Sequence, residues 1–359
     1  MHRTLAAAVA LAFVAACGDS SKKSDSTAGA SAAPATSTTS GADLTGAGAT
    51  FPYPLYSKWF DAYATKTGVK INYQSIGSGG GIRQLSEQTV DFGATDAPMS
   101  DAELAKAKGG AVLHIPTALG AVAVVYNLTE VTQPIKLTGD VLAAIYQGQV
   151  TRWNDARIAS LNAGMKLPAT DILVVHRSDG SGTSYVFTDY LANVSAPWAT
   201  KPGKGKEVQW PVGLGAKGNE GVAGQVKQTP GAIGYVELVY ANQNKMTTAL
   251  LKNAAGEFVA PSIASVTAAA AGAAAKLPAS TDYRVSIVNA AGAGVYPIAS
   301  FTWIILYEKQ ADPAKGKKVT DFLKWSLSAE GQGMEGPLDY APLPDKMRSD
   351  LLAKLETVK

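Results

Sequence analysis

The segment from Arg177 to Ser184 places a guanidinium, a carboxylate, several hydroxyls and two glycines within a short stretch of chain. An apolar run at 172–175 predicts a strand before it. Apolar residues between Val186 and Val194, at spacings of three and four, predict a helix after it. The first N–H groups of a helix have no partner within the helix, and the helix dipole favours negative charge there. A strand, a Gly/Ser/Thr turn and a helix in this order therefore predict an oxyanion site.

Two earlier glycine-rich segments have a similar layout. The segment from Gly46 to Pro52 precedes a helical pattern of apolar residues, and the segment from Gly77 to Gly81 lies between a strand-like run at 69–73 and another helical pattern. Asp96 adds a carboxylate at the end of the short segment 92–95. Any one glycine-rich turn is a weak signal, but three in one chain favour a shared anion site.

These segments together resemble the PstS-type phosphate-binding proteins of bacterial phosphate ABC importers. The matching motifs occur in the family's order and extend from about Leu44 over nearly all of the remaining chain: 46–51, 77–81, 90–98, 179–184 and 230–237. The resemblance implies an α/β, two-lobed periplasmic-binding-protein fold of type II, with inorganic phosphate held in the cleft. It also implies delivery of phosphate to the membrane permease and ATPase subunits of an importer.

Carried over position by position, the resemblance implies a phosphate-binding shell made of Thr50, Phe51, Ser78, Asp96, Arg177, Ser181, Gly182 and Thr183. One departure is visible, because some family members have a second serine after the one at position 78, where this chain has Gly79. The contact from Ser78 is retained, and a neighbouring hydroxyl is absent.

Two acidic residues have specific expected roles in this shell. The Asp96 carboxylate can accept a hydrogen bond from a phosphate hydroxyl but would meet only lone pairs on sulfate, so we expect it to select phosphate. Asp179 is expected to orient the Arg177 guanidinium, which can bind phosphate with two N–H groups. From the residues alone, Asp96 could equally be a turn or cap acid. Arg177 and Asp179 could likewise be an ordinary surface ion pair.

The order of predicted elements indicates α/β lobes with mostly parallel sheets, and long apolar runs indicate strands at 121–126 and 301–307. By resemblance, these two strands cross between the lobes. Residues 43–123 and 303–359 would then form the first lobe, and residues 124–302 the second.

Local patterns predict further elements. The sequence from Ser100 to Glu103 has the form of a capping box that opens a helix. A strand is expected at 112–116, a helix from Val141 to near Gly148, and a C-terminal helix through 319–327.

The N-terminus has the features of a lipoprotein signal. His2 and Arg3 give a positive start, and the apolar stretch from Leu5 to Ala16 is too short to span a bilayer. Residues 14–17 have the form of a bacterial lipobox, which implies cleavage before Cys17 and acylation of its thiol. A simple secretory signal with a chance cysteine is the alternative.

Residues 1–16 are therefore predicted to be a signal peptide, and residues 17–42 a lipidated cysteine with a disordered tether, because 18–42 are rich in Ser, Thr, Ala and Gly. The mature chain is expected outside the cytoplasm, in the periplasm or at the cell surface, held to a membrane by its N-terminal lipid. Cys17 is the only cysteine, so no disulfide can form within the chain.

The composition argues against several other classes of function. A formal net charge of +3 over 359 residues argues against a nucleic-acid-binding protein, which would carry a concentrated basic face. Three histidines and one cysteine in the whole sequence argue against a zinc site. We expect a monomer with no cofactor and no metal.

A secreted serine-dependent phosphatase or hydrolase is one competing interpretation, with Ser78 or Ser181 as the nucleophile. Neither serine lies in a Gly-x-Ser-x-Gly motif. Apart from His2, the histidines are His114, in an apolar strand, and His176, which should face away from the neighbouring guanidinium. We therefore predict a binding protein with no catalytic residues.

Two further interpretations remain. The segment from Gly213 to Gly218 matches the G-x-G-x-x-G pattern of dinucleotide sites, but we expect only a glycine-rich turn at the start of a helix. The same two-lobed fold could instead bind another oxyanion, such as sulfate, molybdate or an organic phosphate.

Overall fold

Strands from both ends of the chain form one mixed sheet in the computed structural model, which describes residues 43–274 and 282–359. The strands of these ranges are β1 (Leu44–Gly48), β2 (Ile71–Ser75), β3 (Phe92–Thr95), β4 (Val112–Tyr126), β5 (Lys136–Leu137), β6 (Leu173–Arg177), β7 (Leu214–Ala216), β8 (Ala232–Glu237), β9 (Thr247–Thr248), β10 (Leu250–Lys252), β11 (Phe258–Val259) and β12 (Ala299–Tyr307). The predicted signal peptide, Cys17 and the tether lie outside the described residues.

The main sheet has the strand order β2-β1-β3-β12-β4-β8-β6-β7, with β9 also paired to β4, and a small second sheet has the order β11-β10-β5. The outer pairs are parallel: β1 with β2 and β3, and β6 with β7 and β8. The prediction of mostly parallel sheets is therefore correct for the flanks. It is wrong for the centre, where β12 runs antiparallel to both β3 and β4, and β4 antiparallel to β8.

The segment predicted as two strands, 112–116 and 121–126, is one continuous strand, β4. The register with β12 shifts between Thr302 and Trp303, which pair with Ala118 and Pro116. Thr117 is therefore an extra residue on β4, as in a β-bulge. The bulge explains the failed prediction, because it lets the strand continue past a proline that would otherwise interrupt the ladder.

The described helices are α1 (Tyr53–Thr67), α2 (Ser78–Ser86), α3 (Asp101–Leu104), α4 (Gly139–Tyr146), α5 (Ala156–Ala159), α6 (Gly182–Val194), α7 (Ala196–Thr200), α8 (Gly218–Gln228), α9 (Leu238–Gln243), α10 (Ile263–Ala274), α11 (Pro313–Ser326), α12 (Ala329–Gln332) and α13 (Asp345–Leu355). The predicted capping box is confirmed, and it opens the short α3. Helix α13 was not predicted from the sequence. No helix in the described part of the chain is long and apolar enough to cross a membrane.

The apolar residues of α1 explain how the first glycine-rich turn is held. Leu55, Tyr56, Trp59, Phe60 and Tyr63 recur at helical spacing and are all buried. The Phe60 ring lies 5.3 Å from that of Phe322 on α11. This packing fixes α1 against the sheet, so the turn between β1 and α1 has a defined position.

Parallel strands bring the predicted site segments to the ends of the two flanks. β1, β2 and β3 run parallel to one another, so their carboxyl ends, which lead into α1, α2 and Asp96, lie at one edge. The carboxyl end of β6 leads into α6 on the other flank. In α/β sheets, ligands bind at the carboxyl ends of such strands.

Candidate functional site

The structure brings the predicted polar shell residues into one buried region between the two flanks of the sheet. Their exposures lie between 0% and 4% for Thr50, Ser78, Asp96, Arg177, Ser181 and Thr183. We refer to these six residues, together with Asp179 and Asn219, as the polar cluster.

Asp96 contributes a buried carboxylate with one oxygen engaged and one free. Its Oδ1 accepts a hydrogen bond of 2.8 Å from Thr302 Oγ1, and its N–H donates to Ser78 Oγ at 3.2 Å. Oδ2 is buried and has no hydrogen-bond partner among the described residues. Burial raises the pKa of Asp96 to about 7, against the opposing effects of the Thr302 hydrogen bond and the Arg177 charge.

Arg177 and Asp179 form a two-point ion pair. Nε donates to Oδ1 at 2.8 Å and Nη2 donates to Oδ2 at 2.5 Å, while Gly218 N–H donates to Oδ1 at 3.1 Å. The side chains are only 2% and 14% exposed, which separates this pair from an ordinary surface pair. Burial alone would raise the pKa of Asp179, but the hydrogen bonds and charge of Arg177 outweigh it and hold that pKa below its ordinary value.

Glycines allow the two flanks to approach each other closely at the cluster. A Cβ atom on Gly182 would lie 2.5 Å from Ser78 Oγ and 2.6 Å from Asp96 Oδ2. Gly79 N–H also donates to the carbonyl of Gly180 at 2.8 Å. The start of α2 and the start of α6 are therefore in direct contact.

Two helix N-termini face this contact. Ser78 is the first residue of α2 and Gly182 the first of α6. Ser181 caps α6, because its Oγ accepts a hydrogen bond of 3.0 Å from Ser184 N–H. The Ser181 hydroxyl keeps its hydrogen for donation, and the two helix ends favour a negative charge between them.

The turn between β1 and α1 is held by three tyrosine hydroxyls. Tyr73 donates to the carbonyl of Ala49 at 2.8 Å, Tyr240 to that of Thr50 at 2.6 Å and Tyr340 to that of Phe51 at 2.6 Å. With these three carbonyls occupied, the polar groups that the turn can still offer a ligand are N–H groups and the Thr50 hydroxyl.

Asn219 bonds to threonines on both flanks. Its Nδ2 donates to Thr50 Oγ1 at 2.8 Å and to Thr183 Oγ1 at 3.1 Å, and its backbone N–H donates to Thr50 Oγ1 at 3.2 Å. Its Oδ1 accepts a hydrogen bond of 2.9 Å from Glu237 N–H. The first helical turn of α8 is thereby tied to both predicted shell threonines.

A second ion pair lies at the rim of the cluster. Lys206 Nζ lies 2.7 Å from Glu103 Oε1, with side-chain exposures of 19% and 27%. The carbonyl of Lys206 accepts a hydrogen bond of 3.0 Å from Ser181 N–H. Lys206 therefore links the cap of α6 to the end of α3 on the other flank.

Sequence reasoning missed three residues that support the cluster: Asn219, Thr302 and Tyr235. Tyr235 OH accepts from Arg177 N–H at 3.1 Å and bonds to Ser184 Oγ at 2.7 Å. Asn219 directly follows the glycine-rich segment that we expected to be only a turn, and Thr302 is a polar residue within an apolar strand. Those two signals were present in the sequence, and Tyr235 lies within the matching motif 230–237, but nothing there indicated its contact with Arg177.

His114 and His176, the two histidines of the described residues, have partners other than the candidate serines. His114 Nε2 accepts from Met99 N–H at 3.1 Å, and burial lowers the pKa of His114 to about 4. The His176 ring stacks on Trp210 with centroids 4.8 Å apart. Neither contact involves Ser78 or Ser181, so both rings have structural roles.

The G-x-G-x-x-G segment forms the edge strand β7 and the start of α8. The expected helix start is correct, but Leu214–Ala216 form a strand instead of a turn. Its last glycine donates its N–H to Asp179, so the segment supports the polar cluster. Within the described ranges, no group of three or more metal-ligating side chains of the His, Cys, Asp and Glu types could hold a metal ion.

Known proteins that resemble this chain belong to one superfamily and, at higher sequence identity, to one family. Residues 33–330 match the model of the PBP superfamily domain. The phosphate-binding protein PstS of Xylella fastidiosa (strain Temecula1) is 47% identical over 88% of this chain and 85% of its own length. That of Pasteurella multocida is 44% identical over 89% of this chain and 92% of its own length. The chain belongs to the PstS family of phosphate-binding proteins.

Solved structures share the fold. A high-affinity periplasmic phosphate-binding protein (PfluDING), solved with bound phosphate, has a TM-score of 0.67 at 24% identity and covers 87% of this chain and 93% of its own. The phosphate-binding protein from Stenotrophomonas maltophilia has a TM-score of 0.66 at 21% identity, covering 86% of this chain and 93% of its own. The predicted periplasmic-binding-protein fold is confirmed.

Proposed function

We propose that this chain binds inorganic phosphate outside the cytoplasm and delivers it to the permease and ATPase subunits of an ABC importer. The predicted shell, Thr50, Phe51, Ser78, Asp96, Arg177, Ser181, Gly182 and Thr183, holds the anion. Phosphate is the ligand in the names of the PstS relatives and of the solved structures that share the fold.

The free Oδ2 of Asp96 is the observation that carries this proposal. It is a buried acceptor without a partner in the described chain, beside the hydroxyl of Ser78 and close to the Arg177 charge. A singly protonated phosphate has one hydrogen for this oxygen and three oxygens for the surrounding donors. Sulfate has no hydrogen for it, so a buried acceptor would be left facing lone pairs.

Burial also shapes the proposed mechanism. Because the polar shell side chains are at most 4% exposed, phosphate can enter and leave only when the two flanks separate. The antiparallel pair β4 and β12 is continuous between the flanks and is where such a movement would bend. In this mechanism residues 43–123 and 303–359 form one lobe and residues 124–302 the other.

The proposal has three further parts. Residues 1–16 act as a signal peptide, and Cys17 carries the lipid that anchors the tether 17–42 to a membrane. The protein acts as a monomer. It acts as a carrier without catalysis, because the described histidines are engaged elsewhere.

Calorimetric titration of the ligand-free chain from Leu44 onward tests the ligand. We expect one-to-one binding of phosphate and no detectable binding of sulfate near neutral pH. In Asp96→Asn, the ratio of phosphate affinity to sulfate affinity should fall by about tenfold or more, because the side chain can then donate to sulfate.

Glu335→Gln is the matched control for that substitution. Glu335 is also buried, with Oε1 bonded to Gln332 and Oε2 unpartnered in the described chain, but it has no contact with the polar cluster. Its replacement should leave the affinity ratio unchanged. Equal affinity of the parent protein for sulfate and phosphate would overturn the proposed ligand.

A further inference from the structure

We propose that Asn219 is a positioning residue that sets the direction of two hydroxyl hydrogens in the site, an inference that rests on the proposed phosphate binding. Asn219 itself contacts no predicted ligand atom. It acts through Thr50 and Thr183, whose oxygens it occupies as acceptors so that their hydrogens must point elsewhere.

The orientation of the Asn219 amide follows from its partners. Glu237 N–H lies 2.9 Å from one terminal atom of the side chain. A backbone N–H can only donate, so that atom is the amide oxygen, and the other is the NH2 group with its two hydrogens. Those two hydrogens are directed to Thr50 Oγ1 at 2.8 Å and Thr183 Oγ1 at 3.1 Å.

The hydrogen bonds that each threonine hydroxyl already accepts determine whether it can still accept another or only donate. A hydroxyl has one hydrogen to donate and two lone pairs to accept with. Thr50 Oγ1 accepts from both the side chain and the backbone N–H of Asn219. Thr183 Oγ1 accepts from Asn219 and, at 3.4 Å, from Arg177 Nη1. Both oxygens have their lone pairs in use, so each hydroxyl can only donate.

This arrangement divides the site by hydrogen-bond polarity. The two threonines, the guanidinium and the helix N–H groups can only donate, whereas Asp96 Oδ2 accepts and the hydroxyls of Ser78 and Ser181 each keep one lone pair beside the backbone N–H that they already accept. A phosphate whose one hydrogen faces Asp96 satisfies such a site, whereas a second hydrogen directed at either threonine would face a donor. Asn219 therefore favours the dianion over the monoanion, in addition to the selection by Asp96.

Burial makes the effect strong and testable. Asn219, Thr50 and Thr183 have exposures of 0%, 2% and 0%, so no solvent competes for these hydrogen bonds. Removing the amide frees lone pairs on both threonines and lets the hydroxyls turn. We expect Asn219→Ala to weaken phosphate binding by at least about tenfold.

A mutant cycle distinguishes positioning from a general loss of structure. In a Thr50→Val/Thr183→Val background there are no hydroxyls to orient, so Asn219→Ala should change phosphate affinity by less than about threefold there. If the substitution weakens binding equally in both backgrounds, Asn219 does not act through the threonines. Loss of binding by the parent protein would instead contradict the proposed function.

A second variant covers the case in which Asn219→Ala does not fold, since it leaves Glu237 N–H without its acceptor. Asn219→Asp keeps an oxygen at that position and removes both donors. Its carboxylate also repels phosphate, but that effect persists in the valine background. The difference between the two backgrounds therefore measures the hydroxyls alone, and a zero difference overturns the proposal.

The pH dependence of phosphate affinity gives a further test, because a purely structural role of Asn219 would not change it. The loss caused by Asn219→Ala should be largest where phosphate is mainly the dianion and smaller where the monoanion prevails. Asp96, Arg177, Asp179 and Glu237 are present in both proteins, so the charged groups that face the site are the same on both sides of the comparison. A loss that is constant with pH argues against the proposal.

Asn162→Ala is the matched control. Asn162 is 5% exposed, and its amide also makes three hydrogen bonds, but all three are to backbone groups of Lys136 and Ile158 and none is to the polar cluster. It should share the cost in thermal stability and leave phosphate affinity unchanged. A similar loss of affinity in this control would show that the Asn219 effect is not specific.

Discussion

The ends of β3 and β6 each place an aspartate in the polar cluster, but the two carboxylates have opposite surroundings. Asp179 is bonded at both oxygens and its pKa is lowered, whereas Asp96 has a free oxygen and a pKa raised to about 7. The same residue type therefore serves as a permanent counter-charge on one flank and as a titratable acceptor on the other. Neighbouring groups, and not residue identity, decide which role is taken.

Removal of the Arg177 guanidinium should have the largest effect, because it takes away the group that makes Asp179 differ from Asp96. Arg177→Gln leaves Asp179 as a second unpaired buried acid and deletes the main cation beside the proposed anion. We expect phosphate affinity to fall by about 100-fold or more and the free energy of unfolding to fall by about 3–5 kcal/mol, measured by calorimetry and chemical denaturation.

The double variant Arg177→Gln/Asp179→Asn tests the reason for that loss. It removes the unpaired charge together with the cation, so stability should partly return while phosphate binding stays weak. If stability does not recover, the buried charge on Asp179 is not the cause of the destabilisation.

The raised pKa of Asp96 predicts a pH dependence of stability without ligand. Its folded-state pKa lies above its unfolded value, so its contribution to stability is present at low pH and is lost as pH rises through about 7. Between the two pKa values this amounts to on the order of 4 kcal/mol, relative to Asp96→Asn. Denaturation of both proteins from acid to neutral pH measures it, and parallel pH profiles would contradict the assignment.

The rim ion pair should give the smallest effect. Lys206→Met removes the link to Glu103 between the flanks, and we expect phosphate affinity to fall less than about fivefold, with a weaker dependence on salt. Lys204→Met is the control, because Lys204 pairs with Asp189 on its own flank. Equal effects of the two substitutions would show that the link between flanks does not matter.

Local sequence patterns predicted the units that carry the site. The glycine-rich turns before α1, α2 and α6 could be identified because a strand, a turn and an amphipathic helix follow one another within a few residues. The family resemblance supplied which side chains face the ligand. Their roles toward phosphate remain predictions, as do the lobe boundaries.

Contacts between distant parts of the chain could not be predicted in this way. Thr302 and Asp96 are separated by 206 residues, and Asn219 and Thr50 by 169, so no local pattern connects them. The bulge at Thr117 has the same origin, because an extra residue on one strand is defined only by its partner β12. Such features depend on which distant segments pair in the folded chain, and local patterns in a single sequence do not show that pairing.

The absence of a side chain at Gly182 limits which amino acids this position can accept. Since a Cβ there would lie 2.5 Å from Ser78 Oγ and 2.6 Å from Asp96 Oδ2, even one methyl group would act as a wedge between the flanks. Every other amino acid carries that atom, so any substitution here would force Ser78, Asp96 or the flanks themselves to move. Glycine at position 182 therefore permits the close approach of the flanks, a steric requirement that is separate from the charges around it.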